Sequence, residues 1–266
     1  MMKERIDKLK YKIRPAVLSD VMRMYSLLRE SFYNYLEFTP YLDPRSVNLI
    51  KQDIINYYYG PKLINQWKIL HINDEILGLY CFKIIEERLF LNYIGIDKYR
   101  RGVGLGNYLL NEFENDVNNY NLRSLGLEVF KSNKIAYTWY KSKGYNVFSL
   151  RYLNKIKIIM NENEWPRRMQ LNEKETEEAL KKEEENGFSI LKAKYCDEEI
   201  VLGLIGSQYC KLIRPKVCKD LILIKDLMCY FSGKRKYLIV GTIEDIKDKF
   251  IIDRIEISFE MRKELQ

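Results

Sequence analysis

Arg101-Gly102-Val103-Gly104-Leu105-Gly106 is the stretch on which the fold turns. It follows a strand-like run, Arg88–Ile96, and opens a helical pattern from Leu105 to about Asn119. Glycines let a backbone approach an anion closely, and a helix start offers unpaired N–H groups and the positive end of the dipole. The turn therefore suits a pyrophosphate. A plain strand–turn–helix joint, with the glycines serving packing, is the other reading. Two common nucleotide loops do not fit: GxxxxGK(S/T) is absent, and GxGxxG fails because Asn107 stands where its third glycine belongs.

Upstream, Ile13–Pro15 reads as the end of a strand. Ser19 and Asp20 are helix N-cap types ahead of Val21, Met24, Leu27, Leu28 and Phe32 at helical spacing. Phe38–Pro44 breaks that helix, and Ser46–Tyr59 resumes it up to Gly60-Pro61. Strands follow at about Trp67–Ile72 and Ile76–Ile85. Downstream, Ser124–Phe130 reads as a strand, Lys134–Lys143 as a helix stopped by Gly144, and Tyr145–Tyr152 with Lys155–Met160 as a hairpin about Asn154. This order predicts an α+β fold with a mixed, largely antiparallel sheet flanked by helices, not an alternating βαβ array.

A second motif lies beyond the glycine turn. Leu127-Glu128-Val129 ends a strand, and Asn133, Ala136, Tyr140 and Gly144-Tyr145 follow. With Arg101, Gly104 and Gly106 matching R/Q-x-x-G-x-G/A, the chain over about residues 11–160 resembles the Gcn5-related N-acetyltransferase (GNAT) family. Its second motif looks nearest to that of the ribosomal-protein alanine N-acetyltransferases. The resemblance implies an enzyme carrying an acetyl group from acetyl-CoA to a primary amine, on a protein N-terminus or a small molecule. It places the cofactor in a gap between the strands ending near Ile96 and Glu128. Ile94, Gly95 and Ile96 would line the pantetheine arm, with Gly95 in a bulge that opens the strand pair. The N–H of Ile96 would face the thioester oxygen. Arg101, Gly102, Val103, Gly104, Leu105 and Gly106 would cradle the pyrophosphate. Asn133 would contact the cofactor arm, cap its helix, or both.

An amine attacks a thioester only when neutral, and α-amino groups have a pKa of about 8 against about 10.4 for lysine. A carboxylate in the cleft is thus a plausible base, which singles out Glu128, either as base or as a group orienting the amine. Tyr140, on the following helix, is placed by the resemblance to hydrogen-bond the departing sulfur; packing against Trp139 or Tyr145 is its alternative role. A non-catalytic acyl-CoA-binding regulatory protein is the competing function.

Composition narrows the rest. The chain has 266 residues, net charge +8 and one histidine, His71, so a histidine-based metal site or Ser–His triad is not expected. Five cysteines without CxxC spacing argue for a reducing compartment, and with no apolar run of about 18 residues the chain reads as cytoplasmic, without a membrane partner. The positive charge is interleaved with acids, which argues against nucleic acid as partner.

Residues 1–160 are expected to form the acetyltransferase domain and 161–186 a charged helical connector. Residues 187–266 are expected to form a smaller α+β domain, either a shortened copy of half of the same fold or an unrelated appendage. Strands are read at Phe188–Tyr195, Ile200–Ile205, Tyr237–Ile243 and Arg254–Met261, with a short helix at Ile246–Phe250. No glycine turn of the first type recurs after residue 160. A chain ended near Asn161 is expected to keep its cofactor affinity.

Overall fold

The structure, a computed structural model, describes residues 10–60, 65–158, 168–213, 221–232, 234–241 and 251–265. The elements of the first part are β1 (Lys12–Pro15), α1 (Val21–Ser31), α2 (Val47–Tyr59), β2 (Gln66–Ile72), β3 (Glu75–Ile85), β4 (Arg88–Ile96), α3 (Leu105–Asp116), β5 (Ser124–Phe130), α4 (Lys134–Ser142) and β6 (Asn146–Lys157). There follow β7 (Met169–Gln170), α5 (Glu173–Asn186), β8 (Phe188–Tyr195), β9 (Glu198–Ile205), β10 (Tyr209–Leu212), α6 (Leu221–Phe231), β11 (Tyr237–Gly241) and β12 (Ile252–Glu264). The expected helix at Ile246–Phe250 lies outside the described residues.

All the strands join one sheet in the order β1-β2-β3-β4-β5-β12-β6-β11-β10-β9-β8-β7. Only β4/β5 and β10/β11 pair in parallel, so the sheet is mixed and largely antiparallel, with helices on its faces. The order repeats. Antiparallel β2-β3-β4 is followed by parallel β5, and antiparallel β8-β9-β10 by parallel β11. Each series is then closed by a strand from the other part of the chain: β12 lies against β5, β6 lies against β11, and β12 and β6 pair with each other.

That exchange corrects the expected hairpin about Asn154. β6 runs unbroken through Asn154, which is buried and pairs with Val240 on one side and Ile255 on the other. A residue with strand neighbours on both edges has no freedom to turn. The antiparallel partner that a hairpin would supply comes instead from the last strand of the chain. A chain ended near Asn161 therefore lacks the strand that fills the space between β5 and β6.

Alternation along β5 sorts its side chains. Leu125, Leu127 and Val129 join a core under α3 and α4 that contains Leu109, Phe113, Tyr140 and, from β12, Met261. Gly126, Glu128 and Phe130 thus point to the opposite face. On that face α1 and α2 pack Met24, Leu27, Leu28, Ile50 and Ile54 on Trp67, Ile69, Leu79 and Cys81. The last part has its own core, in which Leu223, Ile224 and Leu227 of α6 meet Leu202, Leu204, Leu238 and Val240.

Candidate active site

The glycine turn is built by three local constraints. Asp97 accepts the N–H of Tyr99 at 2.9 Å and holds the chain as it leaves β4. Its carboxylate also pairs with Arg23 of α1. Arg101 folds back, its Nε donating to the Ile96 carbonyl at 3.0 Å. Gly104 is the N-cap of α3 at φ 95°, a left-handed conformation that side chains resist. A Cβ on Gly102 would meet only open space, so its glycine answers to its φ of 82° and leaves the turn uncovered. The first hydrogen bond of the helix runs from the Tyr108 N–H to the Gly104 carbonyl at 3.2 Å. The N–H groups at the start of α3 therefore lack intrahelical acceptors and point outward. Trp139 of α4 donates to Asn107 at 2.8 Å and packs 3.6 Å from where a Gly106 Cβ would lie, tying α4 to the turn.

β4 and β5 fork. They pair only from Leu89/Leu125 to Leu91/Leu127, although β4 continues to Ile96 and β5 to Phe130. The Asp97 N–H donates to the Leu77 carbonyl at 2.8 Å, on the β3 side. By alternation the backbone groups of Gly95 also face β3, and those of Ile94 and Ile96 face the fork. The irregularity that accompanies the fork is at Asn92, between the pairs Cys81/Tyr93 and Phe82/Leu91. Gly95 does not form the bulge. It pairs in register with Leu79, and a Cβ there would lie 2.7 Å from the Ser31 hydroxyl, so α1's close approach is what requires glycine.

Glu128 is the first residue of β5 beyond the last β4 pair, at the crotch of the fork. Its carboxylate is held by the Ser258 hydroxyl of β12 and by Arg151 Nη1 of β6 at 3.4 Å. Tyr140 is buried on the other side of β5, with ring centroids 4.8 Å from Trp139 and 5.8 Å from Tyr145. Burial pushes its pKa above the usual tyrosine value, which keeps it a hydrogen-bond donor at neutral pH. The two residues are not brought into contact; they flank the fork from opposite faces. Asn133 caps α4, its Oδ1 accepting the Ala136 N–H at 3.2 Å.

Beyond Glu128 the face carries a band of paired charges that the sequence did not reveal. Glu37, in the turns between α1 and α2, accepts from Arg254 at 2.7 Å and Lys155 at 2.6 Å. Lys155 also meets Asp253 at 2.6 Å. Burial works to lower the Lys155 pKa, but the Asp253 and Glu37 hydrogen bonds outweigh it and leave the pKa raised. Ser132, next to Asn133, donates to buried Glu256 and accepts from Tyr35, both at 2.9 Å. The Tyr35 ring stacks on Phe130 at 4.3 Å. Lys211 of β10 donates to the Phe38 carbonyl at 2.9 Å. Glu37 lies in the Leu36–Pro44 segment, whose acids and aromatic residues mark it in the sequence as a candidate acceptor wall. No local signal announces Lys155, Lys211, Asp253, Arg254 or Glu256, because their strands meet only through the exchange of β6 and β12.

Comparison with known proteins matches the segment that holds the forked parallel pair and the glycine turn. Residues 22–145 match the model of the acetyltransferase (GNAT) family. The segment contains the fork, the turn and both motifs. Over nearly the whole chain, the fold is similar to that of solved acetyltransferase structures. A tandem GNAT protein from the clavulanic acid biosynthesis pathway superposes with a TM-score of 0.65, at 9% identity, over 96% of this chain and 98% of its own. A GCN5-related N-acetyltransferase from Sphaerobacter thermophilus gives 0.59 at 13% identity, over 96% of each chain. The ribosomal-protein-S18-alanine N-acetyltransferase from Escherichia coli gives only 0.42 at 19% identity, over 59% of this chain and 84% of its own. That likeness is too slight to support the nearer kinship its motif suggested. No curated protein matches the sequence. Among the described residues no helix is long and apolar enough to cross a membrane.

Proposed function

We propose that the chain is an N-acetyltransferase that binds acetyl-CoA in the fork between β4 and β5 and acetylates a primary amine. The observation that carries this reading is the conjunction of the fork with unpaired N–H groups at the start of α3. The fit to the group is specific: the fork turns the Ile94 backbone edge and the Ile96 N–H toward an amide-bearing arm, while Arg101 holds the Ile96 carbonyl. The turn from Arg101 to Gly106 leaves an open, N–H-lined surface for a pyrophosphate. Acetyl-CoA supplies a thioester; the amine nitrogen bonds the acetyl carbon, the carbon–sulfur bond breaks and sulfur leaves as thiolate.

The residues of the chain divide that work. Tyr140 donates a hydrogen bond to the leaving sulfur, a role suited to a phenol that burial keeps protonated. Glu128 receives the amine's proton, directly or through water. Asn133 serves the cofactor arm with whatever hydrogen-bonding capacity its cap leaves free. The exchanged strand β12 shapes the acceptor side through Ser258, and residues 187–266 wall that side without a second pyrophosphate turn. The acetyltransferase part ends near residue 160 and the second part begins near residue 187, with the connector between them.

The regulatory alternative draws support from one feature: Glu128 is already engaged by Arg151 and Ser258. The deciding experiment incubates the protein with acetyl-CoA and panels of amines, amino acids and peptides, and reads acetylated products by mass spectrometry and free thiol by absorbance. Amine-dependent thiol release supports the enzyme. Tight acetyl-CoA binding without turnover on any panel supports the regulatory protein.

A further inference from the structure

On the acceptor side, Lys211 stands apart from its neighbours. In register across the sheet, Lys211 faces Ile239, Ile239 faces Lys155, and Lys155 faces Arg254. These four side chains share one face, the one that carries Glu37 and Phe38. Lys155 and Arg254 are each neutralised there by two carboxylates. Lys211 forms no ion pair among the described residues. Its ammonium has three donors, and the Phe38 carbonyl takes one of them.

Lys211 is also close to the fork. The Phe38 ring lies 5.8 Å from that of Phe130, which is two residues beyond Glu128 on the same face of β5. Phe38, Phe130, Ile239 and Tyr209 pack as one cluster around this point. Burial lowers the Lys211 pKa, Glu128 opposes that shift and Arg151 adds to it, so all three charges lie within electrostatic reach. A partly buried cation with no carboxylate partner among the described residues is costly to keep, and an anion brought by a ligand relieves that cost. Arg151, half-exposed and held by Glu128 only at 3.4 Å, is a second cation free to turn toward such an anion.

We propose that the acceptor is an amino carboxylate, with its amine directed at Glu128 and its carboxylate seated between Lys211 and Arg151. The proposal rests on the reading of the fork as an acetyl-transfer site and names the substrate class of that site. It assigns Lys211 a binding role, and it gives the Arg151–Glu128 contact a purpose: the incoming carboxylate takes the arginine and releases Glu128 for the amine.

The test uses the full chain and pairs each of the twenty amino acids, β-alanine and γ-aminobutyrate with its amide. Acetylation kinetics and, separately, calorimetric binding without acetyl-CoA are read for the wild type, Lys211→Met, Lys211→Arg and Arg151→Gln. For the best acceptor, kcat/KM is expected to favour the acid over its amide by tenfold or more, and binding to favour it likewise. In Lys211→Met the preference should collapse, chiefly through KM, while Lys211→Arg restores part of it. Thermal melting checks that each variant is folded. Equal use of acid and amide by the wild type, or an unchanged preference in both Lys211→Met and Arg151→Gln, overturns the proposal. Acid-selective binding that depends on Lys211, without acetylation of any amine, keeps the anion seat and overturns the acetyl-transfer reading instead. Absence of acid-selective binding and turnover throughout the panel overturns the amino-carboxylate assignment.

Discussion

At the residue scale the account rests on Gly104, Tyr140 and Glu128. Gly104 sits at φ 95° beneath the outward N–H groups, so Gly104→Glu adds left-handed backbone strain and a negative charge where a pyrophosphate is expected. Acetyl-CoA affinity should fall by about tenfold or more, equivalent to at least about 1.4 kcal/mol, in calorimetry on protein whose circular dichroism is unchanged. Unaltered affinity in that folded variant removes the pyrophosphate assignment. Tyr140→Phe keeps the ring packing against Trp139 and Tyr145 and removes only the hydroxyl. Turnover should drop by about 10²-fold with KM for acetyl-CoA little changed, the scale typical of acid–base groups. A rate equal to wild type would make Tyr140 a packing residue. Glu128→Gln should slow turnover on a comparable scale. The positions of these side chains were legible because each belongs to a local motif, a turn before a helix or a strand end before a capped helix. What local sequence did not reveal was their company. Ser258 and Arg151, which hold Glu128, lie 130 and 23 residues away from it in sequence.

At the element scale the decisive feature is β12. It pairs along β5 from Ser124 to Phe130 and along β6 from Asn146 to Ile156, and it buries Met261 completely in the core beneath α3 and α4. Met261→Ala should cost about 2–5 kcal/mol, as truncations of buried methionine do, read as a lower denaturation midpoint with an unchanged m-value. A loss below about 0.5 kcal/mol would mean that β12 is not integral to the first core. Hydrophobic alternation located β12, β8 and β9 to within a few residues. It could not say which strand lies beside which, because alternation specifies a strand's faces and not its edge partners. Three elements escaped notice altogether, among them β7, only two residues long. α6, Leu221–Phe231, is apolar nearly all round, so it shows no helical stripe. β10 is only four residues long. The misread hairpin at Asn154 has the same origin: an asparagine between two apolar runs looks like a turn until a distant strand occupies its open edge.

At the scale of the whole molecule, the two parts of the chain are locked by exchanged strands and by the charged network that Glu37, Lys155, Asp253 and Arg254 make across them. The sign of the pH effect follows from Lys155. Its folded pKa is raised above the unfolded value of about 10.4, so its contribution to stability is fully present below that value and is lost as pH climbs through the folded pKa. The stability gap between wild type and Lys155→Met, measured by denaturant melts, should hold constant to about pH 10 and narrow above it. A gap that widens with rising pH would contradict the network as drawn. The central claim concerns where acetyl-CoA sits, and it is tested most directly by amide hydrogen exchange of the full chain with and without acetyl-CoA. Slowed exchange concentrated at residues 94–96 and 102–107, with β8 to β10 unaffected, is the predicted result. Protection confined to the second part of the chain, around α6 and β11, would contradict it.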